Sequence, residues 1–435
     1  MRPAARITAA TEVLDDILTR HRPASEALAD WGKAHRVAGS GDRSAIGNLV
    51  YDALRCRLST AWAMGEDTAR ALAIGTAATS FGLTAEAVAA LCDGSQHAPA
   101  PLTEAERVGL ARSLDDAPGH VRANVPEWLW PTFVATFGER AIDEGGAFSR
   151  RAPTDIRINT LKSTRERVAK ALAGFAPEPV PYAPNGLRIA PSSGPGRTPN
   201  LQAEAAYQAG WIEIQDAGSQ IAAALAGAAP RLQVLDLCAG GGGKSLAMAA
   251  VMQNTGQIYA YDDDRLRLKP IYERLKRAGA HNVQVLRARD TAALTALGSR
   301  FDVVLVDAPC SGTGVWRRRP EAKWRLRPQS IATRQAEQRH VLALAAPMVK
   351  AGGVLVYVTC SVLPAENTEQ VELFLAGDRA FAPEPIADRW QLLLKSEPPA
   401  SADGHKQSLL LTPASHGTDG FFIAVLRRGG GQGQA

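Results

Sequence analysis

Five short apolar runs, spaced by stretches of helical length, occupy the chain from about residue 201 onward. Val234-Leu235-Asp236-Leu237-Cys238 is the first strand, and a helix over 244–252 follows it. Residues 257–261 give the next strand and 265–278 the next helix, with Leu268, Ile271 and Leu275 on one face. Runs over 283–286, 302–306 and 354–358 continue the strand series. Strands alternating with helices in this way predict a parallel sheet covered on both faces. In such a sheet, ligands are held beyond the carboxyl ends of the strands, so the residues just past each run are the ones to inspect. A last apolar run, 421–426, is placed as an antiparallel strand.

At 435 residues the chain is too long for one core, and its texture changes twice. Residues 1–120 are predicted helical, with Ile7, Val13, Leu14, Ile17 and Leu18 at helical spacing and a second helix starting near Ser44, capped by Asp42 or Ser44. Residues 121–200 have the pattern of a small α+β module: a short helix opens at Pro126, and Thr154–Thr160 alternates as an exposed strand does. Ala190–Pro199 is a connector. The catalytic candidate spans 201–428, and 429–435 is expected to be disordered. No apolar run reaches the roughly 18 residues of a spanning helix, and the amino terminus lacks the apolar core of a signal peptide. Five scattered cysteines make no disulfide framework and no metal-ligand spacing, which places the chain in a reducing cytoplasm without a metal. The net charge of +5 allows an anionic partner.

Gly240-Gly241-Gly242-Gly243-Lys244-Ser245 follows the first strand and opens a helix, which aims backbone N–H groups at a polar ligand. A Walker loop needs glycine where this chain has Cys238, and a dinucleotide fingerprint needs glycine where it has Ser245. The loop of S-adenosylmethionine enzymes needs only close backbone approach, and Cys238, Ala239, Gly240, Gly241, Gly242, Gly243 and Lys244 satisfy it. Asp262 ends the second strand, where a carboxylate can accept both ribose hydroxyls, and Asp290 ends the third, near the expected adenine. Taken alone, each aspartate reads first as a helix cap or a solvated loop residue; ligand positions at successive strand ends are harder to dismiss.

Two cysteines sit just past strand ends, in Asp307-Ala308-Pro309-Cys310 and Thr359-Cys360. Two thiols presented to one crevice suit methyl transfer to carbon 5 of a pyrimidine. That carbon is a poor nucleophile until a thiolate adds to carbon 6 and makes the ring an enamine. Asp307 could protonate or hydrogen-bond ring nitrogen 3 as the adduct forms. The segment Trp316–Arg327 then carries six basic residues and two tryptophans, so Arg317, Arg318, Arg319 and Lys323 are candidate phosphate contacts.

These segments together resemble the RsmB/Sun (Fmu-type) family of RNA cytosine-5 methyltransferases. The likeness rests on Leu235–Lys244, Asp307–Gly314, Thr359-Cys360-Ser361 with Glu366-Asn367, and Asp419-Gly420-Phe421-Phe422. Arg157–Lys162 and Gln215–Gln220 also match. The resemblance implies a doubly wound, Rossmann-like S-adenosylmethionine methyltransferase domain, with Cys360 as nucleophile and Cys310 assisting release of the product. The family usually has Ala-Pro where this chain has Gly240-Gly241, so the proline that fixes φ is missing here. Residues 1–120 resemble a NusB-like RNA-binding domain through Asp42–Ile46 and Leu49–Arg55, which favours ribosomal over transfer RNA. The resulting expectation is a cytoplasmic, monomeric enzyme with RNA as partner and no membrane contact. A DNA cytosine-5 methyltransferase and a non-catalytic RNA-binding assembly factor are the rivals.

Overall fold

The computed structural model describes residues 1–430, so most of the tail expected to be disordered, 431–435, lies outside the described residues. The chain forms two compact units. The first takes residues 1–152, 191–199 and 315–326; the second takes 153–190, 200–314 and the chain from 327 on.

The first unit is helical, with no strand among its described residues. Helices Pro3–Arg20, Ser40–Arg55 and Ala69–Phe81 close over a core that includes Leu14, Ile17, Ile46, Leu49, Leu72 and Ile74. The second of these starts at Ser40, ahead of the expected position. Its cap is Gly39, and Asp42 works from inside the first turn, where its Oδ2 accepts from Gly39 N at 3.2 Å. The helices between 119 and 147, expected with the small module, fall in this unit.

In the second unit, β1 (Thr154–Ile158), β2 (Glu178–Pro179), β3 (Gly186–Ile189) and β4 (Ile212–Ile214) make an antiparallel sheet in the order β2-β3-β1-β4. The alternation over 154–160 predicts an exposed strand, and the structure corrects that. β1 is paired on both edges, and its polar residues are buried against partners. Asp155 accepts from Arg188 Nε at 2.6 Å and from Ala217 N at 3.0 Å. The fourth strand of this sheet comes from beyond residue 200.

The larger sheet contains β5 (Gln233–Leu237), β6 (Gln257–Tyr261), β7 (Val283–Val285), β8 (Phe301–Asp307), β9 (Val349–Thr359), β10 (Phe381–Pro383), β11 (Ser408–Leu411) and β12 (Phe421–Arg428). Its order is β10-β12-β9-β8-β5-β6-β7, with β11 on β12. β5 to β9 run parallel, and β12 is antiparallel to β9. The chain winds outward from β5 to β7, then returns to the other side of β5 as β8 and β9. The order therefore reverses between β5 and β8, the switch point at whose carboxyl ends sheets of this kind hold their ligands. Val234, Ile258, Val303, Leu305, Val356 and Ile423 lie in the core beneath it. The helix predicted over 265–278 is two, Arg265–Leu268 and Ile271–Ala278, because Pro270 supplies no N–H to continue the first.

Candidate active site

The loop after β5 is fixed before any ligand arrives. Ala239 N donates to Tyr261 O at 2.8 Å, extending the ladder with β6, and Gly242 N closes a turn onto Ala239 O at 2.9 Å. Gly242 has φ 77° and its Cα faces Ile271; a Cβ there would lie 2.4 Å from Ile271 Cγ1, so only glycine fits. Helix Gly243–Val251 begins at that point. Cys238, at φ 73°, takes the left-handed turn that leads into the loop, and burial pushes its thiol well up.

Asp262 is 3% exposed and closes the loop from below: Oδ2 accepts from Gly240 N at 2.9 Å, and Oδ1 from Asp264 N at 2.8 Å. Each carboxylate oxygen can accept twice, so the group keeps capacity for a diol. Asp290 lies further out than expected. β7 stops at Val285, a turn through Arg289 at φ 63° follows, and Asp290 then caps helix Thr291–Thr295 with Oδ1 accepting from Ala293 N at 2.9 Å. A Cβ at Gly240 would come no nearer than 3.7 Å to Arg267 Nη2 and 3.9 Å to Asp262 Oδ2. The bare backbone thus leaves a cradle between a cation and an acid, which fits a zwitterionic nucleoside such as S-adenosylmethionine.

Across the switch point, Lys244 Nζ donates to Asp307 Oδ2 at 2.6 Å. Burial works against the Lys244 charge, but the neighbouring Asp307 carboxylate outweighs it and holds the ammonium above its usual range. Beneath it, Asp236 is buried within β5. Its Oδ2 accepts from Ser245 Oγ at 2.5 Å, and its Oδ1 is buried without a partner. Burial raises this carboxyl to about 6, against the Ser245 and Lys244 contacts.

The carboxyl ends of β8 and β9 bring the two thiols together, with Cys310 Sγ 3.3 Å from Cys360 Sγ. The hydrogen bond to Cys360, then burial, pushes the Cys310 thiol far above its ordinary value, and either sulfur of the pair can be the donor. Glu366 locks both loops. It is fully buried, accepts from Ser311 N at 2.7 Å and from Gln338 Nε2 at 3.2 Å on Oε1, and takes the Ser311 and Ser361 hydroxyls at 2.5 Å on Oε2. Thr313 Oγ1 lies 3.0 Å from Ser361 Oγ and accepts from Val362 N at 2.9 Å. Asn367 holds the β9 end from the other side, accepting from Thr359 Oγ1 at 2.6 Å and donating to Ser361 O at 3.0 Å. In the sequence Glu366-Asn367 carried only a resemblance; its role as the shared anchor was not read. Asp236 was overlooked too, although an acid inside an apolar run was a signal.

The basic segment is the main correction. Trp316 is buried and stacks on Phe133 at 5.9 Å, Arg317 is 4% exposed and Lys323 1%. Lys323 Nζ donates to Asn124 O at 2.9 Å, Arg55 O at 3.3 Å and Ser149 Oγ at 3.3 Å, while Trp324 Nε1 donates to Leu54 O at 2.6 Å. Arg317 accepts from Arg55 Nε at 2.7 Å through its carbonyl. These residues are interior mortar of the helical unit, and Lys323 and Arg317 do not present themselves to phosphate. Arg319 alone of the four is exposed.

Comparison with known proteins agrees with this architecture. A family model described as 16S rRNA methyltransferase RsmB/F matches residues 224–427, and one for an RsmF/B-like methyltransferase ferredoxin-like domain matches 125–193. The chain is 34% identical over 312 residues to a probable ribosomal RNA small subunit methyltransferase B of Synechocystis, spanning 70% of this chain and 66% of that protein. It is 32% identical over 332 residues to the ribosomal RNA small subunit methyltransferase B of Pseudomonas syringae pv. tomato, spanning 75% and 71%. Among solved structures, PH0851 superposes with a TM-score of 0.74 at 25% identity over 98% of this chain and 99% of that one. A methyltransferase homologue from Pyrococcus horikoshii gives 0.59 at 29% identity over 71% and 97%.

Proposed function

Because the chain belongs to the 16S rRNA methyltransferase RsmB/F family, we propose that it methylates carbon 5 of a cytosine in 16S ribosomal RNA through a covalent adduct with Cys360. Methyl transfer with S-adenosylmethionine as cofactor comes with the family. The position on the base and the covalent step rest on one observation, the two thiols 3.3 Å apart at adjoining strand ends. A purely binding protein has no use for that pair.

The backbone of 238–244 holds the amino-acid part of the cofactor and Asp262 its ribose, with Asp290 toward the adenine. The bound cofactor supplies an electrophilic methyl group. Cys360 Sγ adds to carbon 6 of the cytosine, with the Cys310 sulfur in hydrogen-bond contact at 3.3 Å. Asp307, oriented by Lys244, uses its remaining oxygen for the polar edge of the ring at nitrogen 3. Once carbon 5 carries both methyl and hydrogen, Cys310 serves the base that removes the proton, and the Cys360 carbon–sulfur bond breaks. The helical unit is the part proposed to help hold the RNA, in the cytoplasm.

The two thiols are separable by experiment. With S-adenosylmethionine and 16S RNA, Cys310→Ala should accumulate protein–RNA adduct on a denaturing gel, and Cys360→Ala should give neither adduct nor 5-methylcytosine. Adduct lost with Cys310→Ala and retained with Cys360→Ala would reverse the roles and favour a DNA-type mechanism.

A further inference from the structure

The loop after β5 is built from four consecutive glycines, Gly240 to Gly243, the most flexible backbone a chain can have. A flexible loop must be ordered when the ligand binds, which weakens binding. The structure contains a brace at this place. Arg274, on helix Ile271–Ala278, donates through Nη1 to Gly241 O at 2.7 Å. The same guanidinium is held by Glu213 of β4, whose Oε2 accepts from Arg274 Nη2 at 3.0 Å and from Nε at 3.3 Å. Glu213 is itself immobile: its side chain is 2% exposed, Arg277 Nη2 donates to its other oxygen, and its backbone pairs with Arg157 across the small sheet. Arg277 in turn stacks over the Tyr207 ring at 3.9 Å.

We propose that Arg274, fixed by Glu213, is a positioning residue that pre-forms the cofactor loop by pinning the Gly241 carbonyl. A Cβ at Gly241 would lie 3.0 Å from Arg274 Nη1, so the guanidinium occupies the space beside a residue without a side chain. Glycine and arginine are two halves of one device. The inference deepens the S-adenosylmethionine reading and rests on it for the ligand, but not for the brace.

Two readouts test it on the full-length protein. In the ligand-free enzyme, Arg274→Ala should raise amide hydrogen exchange over 239–244 by about fivefold or more. Calorimetry should show S-adenosylmethionine binding weakened about five- to tenfold, with kcat changed less than KM. Adding Gly241→Pro to Arg274→Ala should recover both, since no hydrogen bond donated by Gly241 N is lost. Arg274→Lys keeps the Glu213 pair but cannot also reach the carbonyl; it should behave like the alanine variant and carries the test should that one not fold. Unchanged exchange and affinity in both variants would overturn the brace, and so would a loss that proline does not rescue. Wild-type protein that binds no S-adenosylmethionine, with the exchange pattern as described, would sink the cofactor reading and leave the brace standing.

Discussion

A carboxyl group buried away from water keeps its charge only where donors surround it. Glu366 and Asp236 sit on opposite sides of that condition. Glu366 has four donors on its two oxygens, whereas Asp236 has the Ser245 hydroxyl on one oxygen and nothing on the other. The consequence for Asp236 is a carboxyl raised from 3.8 to about 6. Below about pH 4 both folded and unfolded chains hold this proton. Between about 4 and 6 the folded chain keeps a proton that the unfolded chain has lost, so stability falls as pH rises through that window, by at most about 3 kcal/mol. Asp236→Asn, equal in size and neutral, should remove this component. Denaturant unfolding of both proteins from pH 4 to 6.5 should show the wild type losing stability relative to the variant; parallel curves would refute the assignment.

At the scale of elements, the segment 316–325 shows how charge counts mislead. Its arginines, lysine and tryptophans have the composition of a nucleic-acid contact, yet Lys323 uses its three N–H groups on two carbonyls and a hydroxyl, and burial pushes its ammonium down to about 7. Lys323→Met should therefore cost roughly 2 kcal/mol of stability through unpaired acceptors. The slope of log RNA affinity against log salt should stay unchanged, whereas loss of a phosphate contact would reduce it by about one. The parallel strands were legible because runs such as Val303–Val306 are apolar without interruption, as strands buried on both faces must be. The meeting of Cys310 and Cys360 was legible for the same reason: equivalent ends of neighbouring strands share a crevice. β2, β3, β4, β10 and β11 were not: each is two to four residues long and lacks the alternation with helices that marked the equally short β7. The burial of Lys323 and Trp316 depends on helices more than 150 residues earlier in the chain, and no local pattern encodes that.

For the whole molecule, the helical unit is assembled from three separated stretches. Trp316, stacked on Phe133 and edge-on to Phe148, is supplied by the last of them. A fragment of residues 1–152 therefore lacks a fully buried tryptophan, whose loss from a core typically costs about 3–5 kcal/mol. The isolated fragment should melt well below the corresponding transition of the full chain, and a peptide of residues 315–326 supplied in excess should raise its melting temperature. Circular dichroism melts decide this; a fragment indifferent to the peptide would show that the segment is not part of its core.

That threading also bears on inheritance and synthesis. A ribosome reading this message releases the first helices long before Trp316 exists, so the helical unit waits, incomplete, while β1 to β8 emerge. A genetic crossover at any point before residue 327 would likewise divide one unit between two parents, so recombination cannot trade these two bodies as separate cassettes.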